Sequence, residues 1–233
     1  PPRSTLFPYT TLFRSIEKLL TEQTGDAGKK IHTARSRNDQ VLTDLKLYFR
    51  EQLANTGEQM KVLFEQSIGQ AERYQDVFMP GYTHLQVAMP SSFGQWFGSY
   101  AENLIDDLQL VQQVFRIINQ NPLGSAAGYG SSFPIDRELT TRLLGFDRLD
   151  INSIHAQIQR GKSELLCGMA LASLAHTLNK WAYDICLYNG QNFGFFTLPV
   201  SMTTGSSIMP HKKNPDVLDR KSTRLNSSHV SQS

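Results

Sequence analysis

From Asn38 to about Met79 no proline interrupts the chain, and Val41, Leu42, Leu45, Tyr48, Phe49, Leu53, Met60, Leu63, Phe64 and Ile68 recur mostly at three- and four-residue intervals. That is the spacing of one helical face, so the pattern predicts a long amphipathic helix, with Gly57 as the place for a bend. Pro90, Ser91 and Ser92 then supply a start signal for a second helix. Its side residues include Trp96, Tyr100, Leu104, Leu108, Val111, Phe115 and Ile118, and it ends near Asn121–Pro122. The Gly/Ala/Ser-rich run 122–134 reads as a loop, followed by a short helix from about Ile135 to Leu144 and a third long one from about Asn152 to Leu187. The apolar positions of the third wrap most of its circumference, which suits burial among several helices.

Helices of this length extend about 45–60 Å at ~1.5 Å per residue, against an average of about three turns. Such rods do not bury themselves alone. The pattern therefore predicts an all-α, up-down helical bundle whose apolar stripes meet those of other subunits.

At 233 residues, 39% hydrophobic and 19% charged, the composition is that of a folded globular protein of one large or two small domains. No apolar run is long enough to span a bilayer and no secretory signal opens the chain, so the expectation is a cytoplasmic protein without membrane partners. Cys167 and Cys186 lie in apolar helical stretches without metal or redox spacing, and read as free thiols. Residues 1–15, with a repeated Thr-Leu-Phe unit, and 220–233, rich in serine and basic residues, look like foreign sequence flanking a partial bundle domain over 16–219. Arg3, Arg14, Arg220, Lys221 and Arg224 outweigh the net charge of +2 and leave 16–219 at −3. A nucleic-acid-binding reading based on charge therefore fails.

Three segments carry the chemistry. Thr204–Asp216 combines Gly205, the adjacent hydroxyls Ser206 and Ser207, Lys212, Asn214 and two prolines that forbid a regular helix. A cation and a neutral donor a few residues from a serine suit proton removal beside a carboxylate. His32–Gln40 holds Arg35, Ser36, Arg37 and Asn38 just before the first long helix, where free amides and guanidiniums favour an anion. Gly81–Gln86, with Thr83, His84 and Gln86, lies in a proline-bounded turn between the first two long helices. Taken singly, each has a plainer reading as solvated loop or structural histidine. His32, His155, His176 and His211 share no metal-binding spacing and read as structural or supporting.

Together the segments, with Phe193–Pro199, resemble the signature regions of the argininosuccinate lyase family in the fumarase/aspartase superfamily, over about Ile16 to Leu218. The resemblance implies a mostly helical homotetramer whose active sites are shared between subunits, and cleavage of argininosuccinate to arginine and fumarate in arginine biosynthesis. By it, Ser206 matches the base that takes the β-proton and His84 the group for the opposite proton transfer. Lys212 matches the lysine that holds the carboxylate and stabilises the carbanion. Asn38, Thr83 and Asn214 match substrate-binding positions, with Arg35, Ser36, Arg37 and Gln86 weaker matches in the same motifs. Neither metal nor organic cofactor is implied.

Two alternatives stay open on this reading. A lyase acting on adenylosuccinate, fumarate or aspartate keeps the Ser206 loop but not Arg-Ser-Arg-Asn-Asp-Gln, and a crystallin-like structural relative need not retain the reactive groups. His211 stands where many relatives have glutamine, Asp219 where they carry glutamate, and the run from Asn152 departs from the commoner Asn-Ser-x-Asp-Ala pattern. Relatives extend beyond both ends, so the chain by itself is expected to have little or no activity.

Overall fold

The computed structural model of the chain describes residues 9–205, 207–209 and 211–219. Helices dominate: α1 (Tyr9–Thr24), α2 (Asp26–Lys30), α3 (Arg37–Arg73), α4 (Phe93–Ile118), α5 (Arg137–Leu143), α6 (Ser153–Ile158) and α7 (Lys162–Asn189), with a 3₁₀ turn at Val200–Met202. The strands are short. β1 (Phe78–Thr83) pairs antiparallel with β2 (Gln86–Ser92), β3 (Gln120–Asn121) pairs parallel with β4 (Arg148–Leu149), and β5 (Thr204–Gly205) pairs antiparallel with β6 (Lys213–Asn214).

The long helices follow the hydrophobic period, with four differences. Helix α1 begins at Tyr9, within the stretch that shows no periodicity. Helix α3 runs through Gly57 unbroken and stops at Arg73, because the chain turns into a hairpin that the sequence reading takes for a loop. Pro90 belongs to β2 opposite Pro80; the start of α4 is set instead by Ser92, whose hydroxyl accepts the Gln95 N–H at 3.1 Å. The third predicted rod is two helices. Gly161 at φ +84° breaks it, and its amide donates to Glu164 at 2.8 Å, restarting the helix as α7.

The chain forms two compact units, and the boundary falls inside α3, α4 and α7. The first holds residues up to Leu53 together with Phe115–Leu166. Leu42, Ile118, Phe146 and Ala156 are buried there, but so is an unusual set of polar groups. Lys46 is 2% exposed; its Nζ donates to the Gln120 carbonyl at 3.2 Å and lies 3.8 Å from Asp150 Oδ2. Burial lowers the Lys46 pKa, and Asp150 opposes that shift. Asp150 Oδ1 is 2.8 Å from His155 Nδ1, so His155 is a supporting residue, as the sequence suggests. Asn121 bonds Thr140, Thr141 and the Leu123 amide, and the Arg137 guanidinium donates to the carbonyls of Leu123, Asp150 and Ile151.

The second unit holds Ala54–Val114 and the residues from Cys167 onward. Its centre is aromatic: Trp96 meets Phe97, Tyr100, Tyr188 and Phe196, and Tyr100 stacks on Trp181 at 5.1 Å. The polar ends of two rings converge on one carboxylate, Asp184, which accepts from Trp96 Nε1 at 3.2 Å and from the Tyr100 hydroxyl at 2.6 Å. Burial and then this carboxylate push the Tyr100 pKa up. Cys167 is buried and Cys186 half-buried, and neither is in a disulfide. Helix α7 leaves Leu165, Met169, Leu171 and Tyr183 exposed, the apolar surface its sequence pattern assigns to further neighbours. No helix among the described residues is long and apolar enough to cross a membrane.

Candidate active site

The residues singled out from sequence fall in three places. Arg35–Asn38 belong to the first unit; Thr83–Gln86 and the segment 204–216 belong to the second.

In the first unit, Ser36 is the N-cap of α3. Its hydroxyl accepts the Asn38 N–H at 3.2 Å, and Asp39 Oδ1 accepts the Ser36 N–H at 2.8 Å, a reciprocal capping box with aspartate in the glutamate position. Arg35 and Asn38 are half-buried and Arg37 is exposed. Ala34, just before them, sits at φ +58°, a left-handed conformation that a residue with a Cβ adopts only under constraint.

In the second unit, Thr83 pairs with Gln86, so His84 and Leu85 are the two central residues of a tight hairpin loop. Both are left-handed, at φ +52° and +61°. That is the backbone of a type I′ turn, which favours Asn-Gly and strains His-Leu by about 1 kcal/mol or more per residue. A strained histidine at an exposed hairpin tip points to a role for its side chain beyond folding. Leu85 is 68% exposed, so little packing offsets the strain. Leu85→Gly is accordingly expected to stabilise the chain by about 1 kcal/mol in urea unfolding; a loss of stability would show that Leu85 is held by packing.

Behind the tip, the ring of Tyr82 packs edge-on to Phe193 at 5.3 Å and lies 6.2 Å from Phe195. Much of the Phe193–Pro199 phrase is thus aromatic packing beneath the hairpin, and Phe196 continues it to Phe93 and Trp96.

The third place is a loop closed at its base. Thr204 pairs with Asn214 and Gly205 with Lys213, and the Thr204 hydroxyl donates to the Asp216 carboxylate. Lys212 is exposed and Asn214 half-buried; Ile208 is 87% exposed at the outer part of the loop. Ser206 lies outside the described residues. The side chains of His84, Gln86 and Lys212 make no hydrogen bond or ion pair with a described residue, leaving a base-or-acid imidazole, an amide and an ammonium available to a ligand. Among the described residues no group of three His, Cys, Asp or Glu is placed to hold a metal.

Sequence reasoning passed over Asp39. It is fully buried, and its Oδ2 accepts the amides of Gly124 at 2.8 Å and Ala126 at 3.0 Å. The signal was present in the capping spacing Ser36-x-x-Asp39, but the partners lie 85 and 87 residues away.

The family model described as Lyase matches residues 9–230. The chain is 61% identical over 211 residues to argininosuccinate lyase of Parabacteroides distasonis, covering 91% of the chain and 47% of that protein. Among solved structures, an EDDS lyase in complex with formate superposes with a TM-score of 0.86 at 31% identity, covering 92% of this chain and 43% of that one. A class II fumarase from Schistosoma mansoni, at 22% identity and TM-score 0.70 over 84% of this chain and 46% of that one, shares the fold. The chain spans about half the length of the curated relatives it matches.

Proposed function

The chain belongs to the Lyase family, whose model matches residues 9–230, and on that premise we propose that it forms about half of an argininosuccinate lyase, a carbon–nitrogen lyase of arginine biosynthesis. The observation that carries this reading is the 61% identity over 211 residues to an enzyme of that name. The retained Arg-Ser-Arg-Asn-Asp-Gln segment and the exposed His84 and Lys212 support it.

The reaction removes a weakly acidic C–H beside a carboxylate, passes through a dianionic aci-carboxylate, and then breaks the C–N bond to release arginine and fumarate. Charge on that intermediate is the main barrier. Ser206 takes the proton; a serine hydroxyl is basic enough only when neighbouring positive charge and backbone donors ionise it in a site closed to water. Lys212 and Asn214 supply charge and a hydrogen bond to the developing anion, an effect worth about 3–4 kcal/mol per donor in enzymes of this kind. His84 carries the other proton, as an imidazole is suited to do near neutrality. Asn38 and Thr83 bind substrate, with Arg35, Arg37 and Gln86 beside them. Ser36 contributes through the shape of its turn, since its hydroxyl already caps α3.

Site residues divided among three separate segments, and apolar side chains left exposed on α7, favour a homotetramer with shared active sites; light scattering of the complete protein tests the assembly. For the activity, the complete protein is incubated with argininosuccinate, adenylosuccinate or aspartate, and fumarate is followed by ultraviolet absorbance. Turnover is expected with argininosuccinate alone. Turnover of one of the others in its place would overturn the substrate assignment, and a folded tetramer inert to all three would make it a crystallin-like relative.

A further inference from the structure

Asp39 is the only described carboxylate that is completely inaccessible while bonding three backbone amides. The bonds run in two directions: Oδ1 to Ser36, at the turn Arg35–Asn38, and Oδ2 to Gly124 and Ala126, in the glycine-rich loop. That loop is also held from its far side, where Gln157 Nε2 donates to Ser125 Oγ at 3.0 Å and to the Ala126 carbonyl at 3.1 Å. A side chain at Gly124 would be strained at φ +85°, and its Cβ would lie 2.9 Å from atoms of Arg137 and Ile135, which would have to shift. The loop is therefore a fixed abutment. The turn is the part whose shape depends on Asp39, and left-handed Ala34 at its entrance marks a backbone held by its surroundings.

We propose that Asp39 is a positioning residue: its buried carboxylate clamps the Arg35–Asn38 turn to the Gly124–Ala126 loop and so sets the geometry with which Asn38 and its neighbours meet an anionic substrate. The substrate part of this inference rests on the lyase reading above; the clamp itself does not. A carboxylate is needed because it alone accepts all three N–H bonds while offering no donor of its own. An asparagine of nearly equal volume brings an NH2 group to a place where amides already point, and must release at least one of them.

The test compares Asp39→Asn with Ile118→Ala, a variant of the same unit that removes fully buried apolar volume but shares none of these hydrogen bonds. In the 233-residue chain, Asp39→Asn speeds amide hydrogen exchange at Ser36, Gly124 and Ala126 by about tenfold, the scale of one lost hydrogen bond. It also shifts the side-chain amide resonance of Asn38, which Ile118→Ala leaves in place. In the complete protein, Asp39→Asn raises KM about tenfold with kcat within about threefold, the signature of lost ground-state and transition-state binding together. Ile118→Ala, compared at a temperature of equal folded fraction, keeps its KM. An unmoved Asn38 resonance with unchanged exchange at the three amides overturns the clamp, and an unchanged KM in Asp39→Asn overturns its role in the site. A wild-type protein that releases no fumarate from argininosuccinate sinks the lyase reading alone; the clamp then stands or falls on the exchange and resonance measurements.

Discussion

Ser206→Ala is expected to lower kcat for fumarate release from the complete protein by about 10³-fold, within the 10²–10⁴ that a positioned base contributes, and to leave its urea midpoint unchanged. The two halves of this result have separate causes. The activity falls because no neighbouring group can take over: Ser207 is exposed one residue further on, and shifting the base by one residue moves it by several ångströms, which is enough to lose the attack geometry. The stability holds because the loop is closed by the β5–β6 pair and the Thr204–Asp216 bond, and Ser207 and Ile208 beyond it are exposed. A variant that turns over as fast as the parent would remove Ser206 from the chemistry. One that loses activity together with its unfolding midpoint would make the serine structural.

Lys46→Met should cost about 3–5 kcal/mol in denaturant unfolding, a large part of the about 5–15 kcal/mol that holds a domain together. The methionine fills most of the volume, so the loss is electrostatic: Asp150 Oδ2, buried and without a hydrogen bond, loses the ammonium 3.8 Å away, and His155 beside Oδ1 replaces that charge only when protonated. Replacing Asp150 by asparagine as well is expected to recover part of the deficit, so the double variant falls short of the sum of the singles. Burial also gives Lys46 a pH signature. Its pKa is lowered from the ordinary 10.5, so between the folded value and 10.5 the unfolded chain binds more protons than the folded one. Wild-type stability therefore gains from Lys46 as pH rises through that window, and below it the full burden of the buried charge is present. Lys46→Met lacks this slope. Parallel alkaline unfolding curves for the two proteins would mean that water reaches Lys46.

The long helices were legible because each carries a stripe at three- and four-residue spacing, and α3 and α4 lie within a few residues of where that stripe places them. The break before α7 was not, since no proline interrupts Asn152–Leu187 and Gly161, a single residue, carries the change of backbone hand. The hairpin escaped for the opposite reason: Phe78–Ser92 contains two prolines and a His-Leu tip in place of Asn-Gly, so its local signals argue against strands while its register makes them. In the site, the segments themselves were readable and their tertiary supports were not. Nothing near Asp39 in sequence announces Gly124 and Ala126, and nothing near Tyr82 announces Phe193.

The left-handed tip at His84–Leu85 has a consequence for anyone improving this protein by laboratory evolution. A screen that rewards heat resistance alone will favour glycine or asparagine at both positions, because each relaxes the backbone. At 85 the swap leaves the proposed proton-transfer group in place; at 84 it discards the imidazole. Under the role proposed for His84, libraries sorted on survival will thus drift toward hardier, inert descendants unless turnover is selected in the same round.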